Sequence, residues 1–230
     1  MTTPRLLIVF VAAFIAMLIA LIPLSAVLGW SSLPLAAERV EGTLWGGRLT
    51  GAAVAGQPVG TVRTRLEILP LFGGVVRLRT ETKGPFTGKA RLISAKTRMG
   101  ADLVTGVVAV EGLGLPDATV RLDNVTAAFD RGRCIRAAGK ARAQVGGGGV
   151  LPQPVELTGA PACIDGRWTL PLSGETGGTR VEVQLGFSPD GAWRNELILI
   201  PTDPALGQAL SASGFTQDGD RWRRVTEGRP

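Results

Sequence analysis

The side chains able to carry chemistry in this 230-residue chain are few, and they form no recognised catalytic set. The sequence contains no His and no Tyr, and its two cysteines are Cys134 and Cys163. Without His the chain lacks the Ser–His and Cys–His nucleophile pairs, the imidazole metal ligand and the commonest acid–base catalyst. Lys, Asp and Glu remain available, so an enzyme is the least favoured of the functional alternatives.

Three short motifs suggest ligand binding, and each lacks a required part. The GGGG run at 146–149 precedes a proline-rich segment and has no Gly-Lys-Ser/Thr, so it is not a phosphate loop. GLGLPD at 112–117 does not complete a GxGxxG fingerprint. Asp218 and Asp220 lack the other ligands of a calcium loop and are typical of a hairpin turn before RWRRV. We therefore expect no catalytic residue, no metal site and no cofactor.

The positive net charge does not indicate nucleic acid. The formal charge is +6, from 25 Lys and Arg against 19 Asp and Glu. The arginines alternate with other residues in RTRLEIL and VRLRTET instead of forming a basic run, which is typical of a solvated strand face. A mildly basic surface near anionic lipid headgroups is a weaker functional interpretation of the same charge.

An uncharged segment runs from Leu6 to Ala37, and residues 6–28 form its continuous apolar core. At about 1.5 Å per residue this core can span a hydrocarbon layer of roughly 30 Å. The nearest cleavage site, 35–37, has Leu where a small residue is preferred. The pattern therefore favours an uncleaved signal anchor over a cleaved signal peptide.

The charge before this span predicts its orientation. Arg5 and the free amine place residues 1–5 in the cytoplasm. Residues 6–28 are then a transmembrane anchor in the inner membrane, 29–37 a linker and 38–230 an exported domain, periplasmic in a Gram-negative cell. Both cysteines fall in this domain, where oxidising conditions favour a disulfide between Cys134 and Cys163 over two buried thiols.

The exported domain has the pattern of an antiparallel sheet. Apolar and polar residues alternate with a period of two, and turn motifs separate the alternating runs. The runs lie at 62–69, 76–81, 86–93, 118–123 and 180–185, and the turns at 69–74, 82–85, 112–117, 173–178 and 188–191. We predict a mainly β fold, in which a single N-terminal transmembrane helix precedes a large, curved antiparallel sheet with little helix.

Three local features refine this prediction. Asp203, Pro204 and Gly214 predict one short helix over 205–212 that closes one end of the sheet. The GGGG stretch is either a long hairpin loop or a boundary between two sub-sheets. In VEGTLWGG the glycines Gly46 and Gly47 predict a turn or bulge that lets another backbone, or a lipid-facing surface, approach closely, with Trp45 at the mouth or in the core of the sheet.

The order of these features resembles the protein N family of the type II secretion system. The resemblance rests on LPLAAERVEGTLWGGRL after the anchor, LEILPLFGG, the Cys-containing segment 123–145 and the C-terminal ALGQALSASGFTQDGDRWRRVTEGRP. The family positions are a GTLW-type motif (Gly42, Thr43, Leu44, Trp45, Gly47) and a turn motif (Leu69, Pro70, Leu71, Gly73). We regard these positions, with Phe72, as determinants of the shared fold and not of chemistry.

The resemblance implies a non-enzymatic accessory subunit that helps folded proteins cross the outer membrane from the periplasm. Its implied partners are other components of the apparatus, the secretin or the inner-membrane platform, reached in part through exposed sheet edges. The alternative is a lipid- or lipoprotein-handling module that holds acyl chains on an uncovered apolar face.

Overall fold

The computed structural model describes residues 10–11, 13–14, 17–18, 21–25, 35–43, 45–54, 57–110, 118–147, 151, 153–203 and 206–229. Within these residues the sheet domain has sixteen strands, one short α-helix (Leu206–Ala212) and one 3₁₀ helix (Leu69–Gly73). The strands are β1 (Leu35–Ala36), β2 (Arg39–Thr43), β3 (Gly46–Val54), β4 (Gln57–Glu67), β5 (Val76–Lys83), β6 (Phe86–Ser94), β7 (Arg98–Val110), β8 (Ala118–Asp130), β9 (Arg133–Val145), β10 (Val155–Gly159), β11 (Ala162–Ile164), β12 (Arg167–Thr176), β13 (Thr179–Phe187), β14 (Trp193–Pro201), β15 (Thr216–Asp218) and β16 (Arg221–Gly228).

These strands form one antiparallel sheet that follows the chain almost in order. From β3 to β10 each strand pairs with the next, and β10, β12, β13, β14 and β16 continue the series. The described pairings are all antiparallel, which confirms the sheet that the alternating pattern predicts. The GGGG stretch, of which 148–149 lie outside the described residues, connects β9 to its partner β10, so it belongs to a hairpin and not to a boundary.

The structure differs from the sequence-based predictions at the linker and at the Gly46–Gly47 turn. The linker assigned to 29–37 contains β1, because Leu35 and Ala36 pair with the end of β3; residues 26–34 lie outside the described residues. Gly46 and Gly47 do not form the turn. They open β3 opposite Thr43 and Gly42, so the turn falls one step earlier, around Trp45. The GLGLPD turn and Leu44 also lie outside the described residues.

The hairpin connections define two ends of the sheet. We call one the Trp45 end; it carries the turns at 45, 68–75, 95–97 and 131–132. We call the other the Pro85 end; it carries the turns at 84–85 and 177–178. The C-terminal helix follows β14 at the Pro85 end, and Gly214, with a φ of 79°, ends the segment after it. This confirms the predicted helix over its described residues, whereas 204–205 lie outside them.

The two faces of the sheet differ in polarity, as strands β3 to β6 show. On the apolar face, cross-strand neighbours include Leu49 with Val62, Leu66 with Leu78, and Leu78 with Leu92. On the opposite, charged face, Arg65 lies across from Arg79 and Arg79 across from Arg91. Because side chains alternate between faces along each strand, a single register produces both surfaces.

The main core lies on the apolar face of the C-terminal half, β8 to β16. Leu157 and Val181 are fully buried there, and Leu210 of the helix and Phe215 pack against the same cluster. The indole N–H of Trp168 on β12 donates a 3.1 Å hydrogen bond to the carbonyl of Thr126 on β8. A contact between strands so distant in the order indicates that this half curls over its own apolar face.

The predicted disulfide between Cys134 and Cys163 is present, with a Cα–Cα distance of 5.5 Å. The disulfide lies where β9 has no partner in β10. The short strand β10 pairs only with residues 141–145 of β9. Near the Trp45 end, β11 lies beside β12, and the disulfide joins it to the start of β9. The disulfide thus links β9 to the β11–β12 hairpin where β10 does not reach.

The apolar segment before the sheet is described only in part. Phe10, Val11, Ala13, Phe14, Met17 and Leu18 are helical, and the other residues of the predicted span before Leu21 lie outside the described residues. Within the described part of the chain, no helix combines the length and the apolar character needed to cross a bilayer.

Candidate interaction sites

The GTLW-type motif forms a seat for the end of the N-terminal apolar segment. Pro23 makes an isolated antiparallel bridge with Thr43, the last residue of β2. The next side chain, Leu24, is only 6% exposed and packs with Leu49, Ala52 and Val62 on the apolar face. The segment is therefore attached to the sheet by backbone pairing and by a buried side chain. We call this contact the Leu24 seat.

The glycines of the motif have a specific steric role in this seat. A Cβ at Gly47 would overlap Leu24 Cδ2, so only glycine leaves room for the leucine. Across the β2–β3 pair, Gly42 has a φ of 93°, and a Cβ there would overlap the carbonyl of Gly46. Gly46 itself has open space where its Cβ would lie. The close approach is thus made by the Leu24 side chain, and not by the backbone or lipid-facing surface that the sequence predicts, and it needs Gly47 and not Gly46.

Trp45 is half-buried and lies at the end of the sheet, in the turn just before Gly46 and Gly47. Its carbonyl accepts a 3.3 Å hydrogen bond from the backbone N–H of Leu66 on β4. This matches the alternative in which Trp45 lies at the mouth of the sheet. The nearby Leu24 seat was not predicted. The available signal was that Pro23 interrupts the apolar segment just before a leucine.

The Leu-Pro-Leu turn forms a short 3₁₀ helix whose apolar side chains face outward. Leu69, Pro70, Leu71 and Gly73 lie in the helix, and Gly74, with a φ of 71°, ends it. Ile68 is 55%, Leu69 84% and Phe72 87% exposed, and the helix buries none of its residues. We call Ile68, Leu69 and Phe72 the apolar knuckle. The sequence predicts that this motif only supports the fold. In the structure, however, most of its apolar surface does not pack against the sheet.

In the described part of the chain, little covers the apolar face of the N-terminal half, β1 to β7. Val76 is 39%, Leu92 41% and Met99 50% exposed. Leu92 lies between Leu78 and Ala101 on this face, whereas Val76 and Met99 both lie across from Ser94. The buried cluster in this half is small and comprises Leu24, Leu49, Ala52 and Val62, with Ala37 and Val40 packed against it. An exposed apolar surface next to a packed core is typical of a binding surface.

The charged face of the same half carries arginines that are only partly neutralised. Glu67 lies 2.5 Å from Arg79 Nε and 3.8 Å from Arg91 Nε, and Glu81 lies 3.1 Å from Lys89 Nζ. The hydrogen bond from Arg79, with the positive charges around it, holds the pKa of Glu67 below its ordinary value, although partial burial opposes the shift. This face is therefore a basic surface with a local ion-pair network.

A shallow depression of about 820 Å³ opens on this face above the glycines of the motif. Arg48, Arg63, Arg65 and Arg79 surround it together with Glu41 and Glu81. Of these arginines, only Arg79 lies within 4.0 Å of a carboxylate oxygen in the described part of the chain. The depression is electropositive. Within the described residues no group of three or more His, Cys, Asp and Glu is placed to hold a metal ion.

A free strand edge lies at the far side of the sheet. The short strand β15 covers only the start of β16, where it pairs with Arg221, Trp222 and Arg223. Along the rest of β16, the described part of the chain includes no strand beyond Val225, Thr226 and Glu227. Such an edge presents unpaired backbone groups to a partner strand.

Comparison with known proteins identifies the chain at the level of a family. The model of the type II secretion system (T2SS), protein N family matches residues 34–226, which include the sheet side of the Leu24 seat, the knuckle, the disulfide and most of the free edge. No curated protein and no solved structure matches the chain. Because the family model spans most of the sequence, this chain belongs to the protein N family of the type II secretion system, and it takes part in type II secretion with other components of that apparatus.

Proposed function

We propose that this protein is an accessory subunit of the secretion apparatus that works through protein–protein contacts in the periplasm and not by catalysis. The part of the apolar segment 6–28 that precedes the Leu24 seat anchors it in the inner membrane, because Pro23 and Leu24 themselves belong to the sheet. The observation that carries the proposal is the Leu24 seat. A buried leucine and a backbone bridge connect the end of the apolar segment to the sheet. The seat supports an anchor that holds the sheet close to the membrane instead of trailing on a free linker.

The free edge of β16 is the surface that we propose for contact with the secretin or the platform. A partner strand can add to such an edge through backbone hydrogen bonds, which requires little chemistry from side chains. This fits a chain without His.

Site-specific photocrosslinking in secreting cells tests this contact. A photoreactive residue replaces Thr226, which is exposed on the free edge, and a control replaces Thr87, which is exposed within β6. We expect a secretin or platform component to crosslink at 226 and not at 87. Equal crosslinking at both positions, or none to any apparatus component, would contradict the proposal.

The seat itself has a matched pair of variants. Gly47→Val places a side chain where Leu24 lies, whereas Gly46→Val extends into open space in the same strand. We expect Gly47→Val to make the 23–25 region accessible to protease in membrane preparations, and Gly46→Val to leave it protected. Equal protection in both variants would show that the seat does not hold the segment.

A second candidate function, lipid handling, is favoured by the uncovered apolar face. Leu92 and Ile93 are neighbours on β6 that face opposite sides of the sheet. If the apolar face holds acyl chains, Leu92→Asp will reduce the lipid that co-purifies with the protein, as measured by mass spectrometry, and Ile93→Asp will not. Absence of lipid from the wild-type protein would remove this candidate and leave the first unaffected.

A further inference from the structure

The exposed apolar side chains of the sheet are concentrated at one end. In the described part of the sheet domain, every exposed large apolar residue lies in a turn at the Trp45 end or in the half of its strand nearest that end. They are Ile68, Leu69, Phe72, Val76, Leu92, Met99, Leu103, Ile135, Ile164, Phe187 and Val225. The apolar knuckle is the most exposed part of this set, whereas the C-terminal helix lies at the opposite end.

Cations lie in other turns of the same end. The β6–β7 and β8–β9 turns touch, because the backbone N–H of Arg131 donates a 3.0 Å hydrogen bond to the carbonyl of Thr97. Lys96 and Arg131 are exposed in these turns, and Arg98 and Arg133 are exposed at the start of the strands that follow, β7 and β9. None of the four lies within 4.0 Å of a carboxylate oxygen in the described residues. Apolar tips beside unpaired cations are the composition of a surface that binds at a membrane interface.

The N-terminal apolar segment joins the sheet at this same end. The bridge between Pro23 and Thr43 is antiparallel, so the chain immediately before Pro23 lies on the side of the Trp45 end. The seat, Trp45, the knuckle and the basic turns therefore follow one another along one rim. A segment that enters the bilayer from this rim would bring all of them to the membrane surface.

We propose that the Trp45 end rests on the membrane, with Ile68, Leu69 and Phe72 in the headgroup region and Lys96, Arg98 and Arg131 against anionic lipid phosphates. The proposal rests on the membrane anchor of the proposed function, and it adds a second, peripheral contact made by the sheet itself. A single anchoring helix sets how far a domain lies from the bilayer. The second contact, made by the Trp45 end, also restricts how the sheet is oriented on the bilayer.

Full-length protein in vesicles of zwitterionic lipid with or without anionic phosphatidylglycerol tests the contact. Because both native cysteines are in the disulfide, a single introduced cysteine can be labelled with an environment-sensitive fluorophore. Phe72→Cys reports the knuckle, Pro85→Cys the opposite end and Phe14→Cys the apolar segment. Lipids that carry a nitroxide near the headgroup or deep in the acyl chain then quench labels at the corresponding depth.

We expect the label at position 72 to be quenched by the shallow nitroxide and the label at 85 to remain unquenched. The label at 14 reports the anchor separately and should be quenched by the deep nitroxide.

If the label at 14 is quenched and the label at 72 behaves like the one at 85, the peripheral contact is wrong while the anchor stands. If 14 is not quenched by either lipid, the anchor fails and the contact that rests on it fails too. Shielding of 72 from water without quenching by lipid would indicate a protein interface and would also overturn the proposal.

The cations are tested in the same vesicles. Lys96→Gln together with Arg98→Gln should reduce quenching at position 72 when phosphatidylglycerol is present and leave quenching in zwitterionic vesicles unchanged. An equal effect of the substitutions in both lipids, or none in either, would contradict the electrostatic part of the contact. Lys83→Gln at the Pro85 end is the matched control and should change neither.

Discussion

The two halves of the sheet share one alternating pattern and differ in what covers it. In the C-terminal half the apolar face closes on itself and on the C-terminal helix, so that Leu157 and Val181 are 0% exposed. In the N-terminal half the same face leaves Leu92 41% exposed. Alternation thus specifies which side chains share a face, whereas curvature and covering elements determine how deeply they are buried. Stability should therefore reside mainly in the C-terminal half.

Removing a core side chain from the C-terminal half should cost the most stability. Leu157→Ala leaves a cavity in the main core, and should lower the free energy of unfolding by about 2–5 kcal/mol. Leu92→Ala, the matched change on the exposed face, should alter it by less than about 0.5 kcal/mol. Urea unfolding of both variants measures the difference. Equal losses would contradict the division of stability between the halves.

Removing the disulfide should lower the free energy of unfolding by as much as Leu157→Ala does, or by less. Cys134 and Cys163 are separated by 29 residues in the sequence. Opening that loop should cost about 2–4 kcal/mol in the chain-entropy account. The double Cys134→Ala, Cys163→Ala variant should therefore unfold at lower urea than the wild type. A midpoint unchanged from the oxidised wild type would show that β9 and the β11–β12 hairpin are held by their packing alone.

A smaller loss is expected for the core of the N-terminal half. Val62→Ala removes two methyl groups from the cluster that holds Leu24, so it should cost about 1–2 kcal/mol. If the halves unfold together, the loss will appear in a single urea transition. If the N-terminal half unfolds first, only an early transition will shift, and the two halves will then be separable units of stability. No loss at all would mean that this cluster does not hold the half together.

The ion pair between Glu67 and Arg79 on the charged face should contribute least. The pKa of Glu67 is lowered in the folded protein, so the pair stabilises the fold above the unfolded pKa of about 4.3 and is lost as the pH falls through the folded value. Glu67→Gln should therefore reduce the urea midpoint slightly at pH 7, and the deficit should shrink as the pH falls towards 3. If the urea midpoint of Glu67→Gln falls further below that of the wild type at pH 3 than at pH 7, the ion pair does not stabilise the fold in the way proposed.

The sequence predicts strand positions well because period-two alternation is a local property. The antiparallel order, the C-terminal helix and the pairing of Cys134 with Cys163 all agree with the expectations from the sequence. The contact of Leu24 with Gly47 was not predicted, because it joins an apolar segment to a strand that begins more than twenty residues later. The basic turns were not predicted as a cluster either, since Thr97 and Arg131 meet only through the order of the strands.

We propose above all that the protein serves type II secretion through a sheet seated on its membrane anchor. The measurement that decides this is the partition of a secreted protein between periplasm and medium in cells that lack this chain and carry a replacement copy. We expect periplasmic accumulation without a copy, restored export with the wild type or Gly46→Val, and no restoration with Gly47→Val expressed at an equal level. Normal export in the absence of the protein, or with both variants alike, would contradict the proposal.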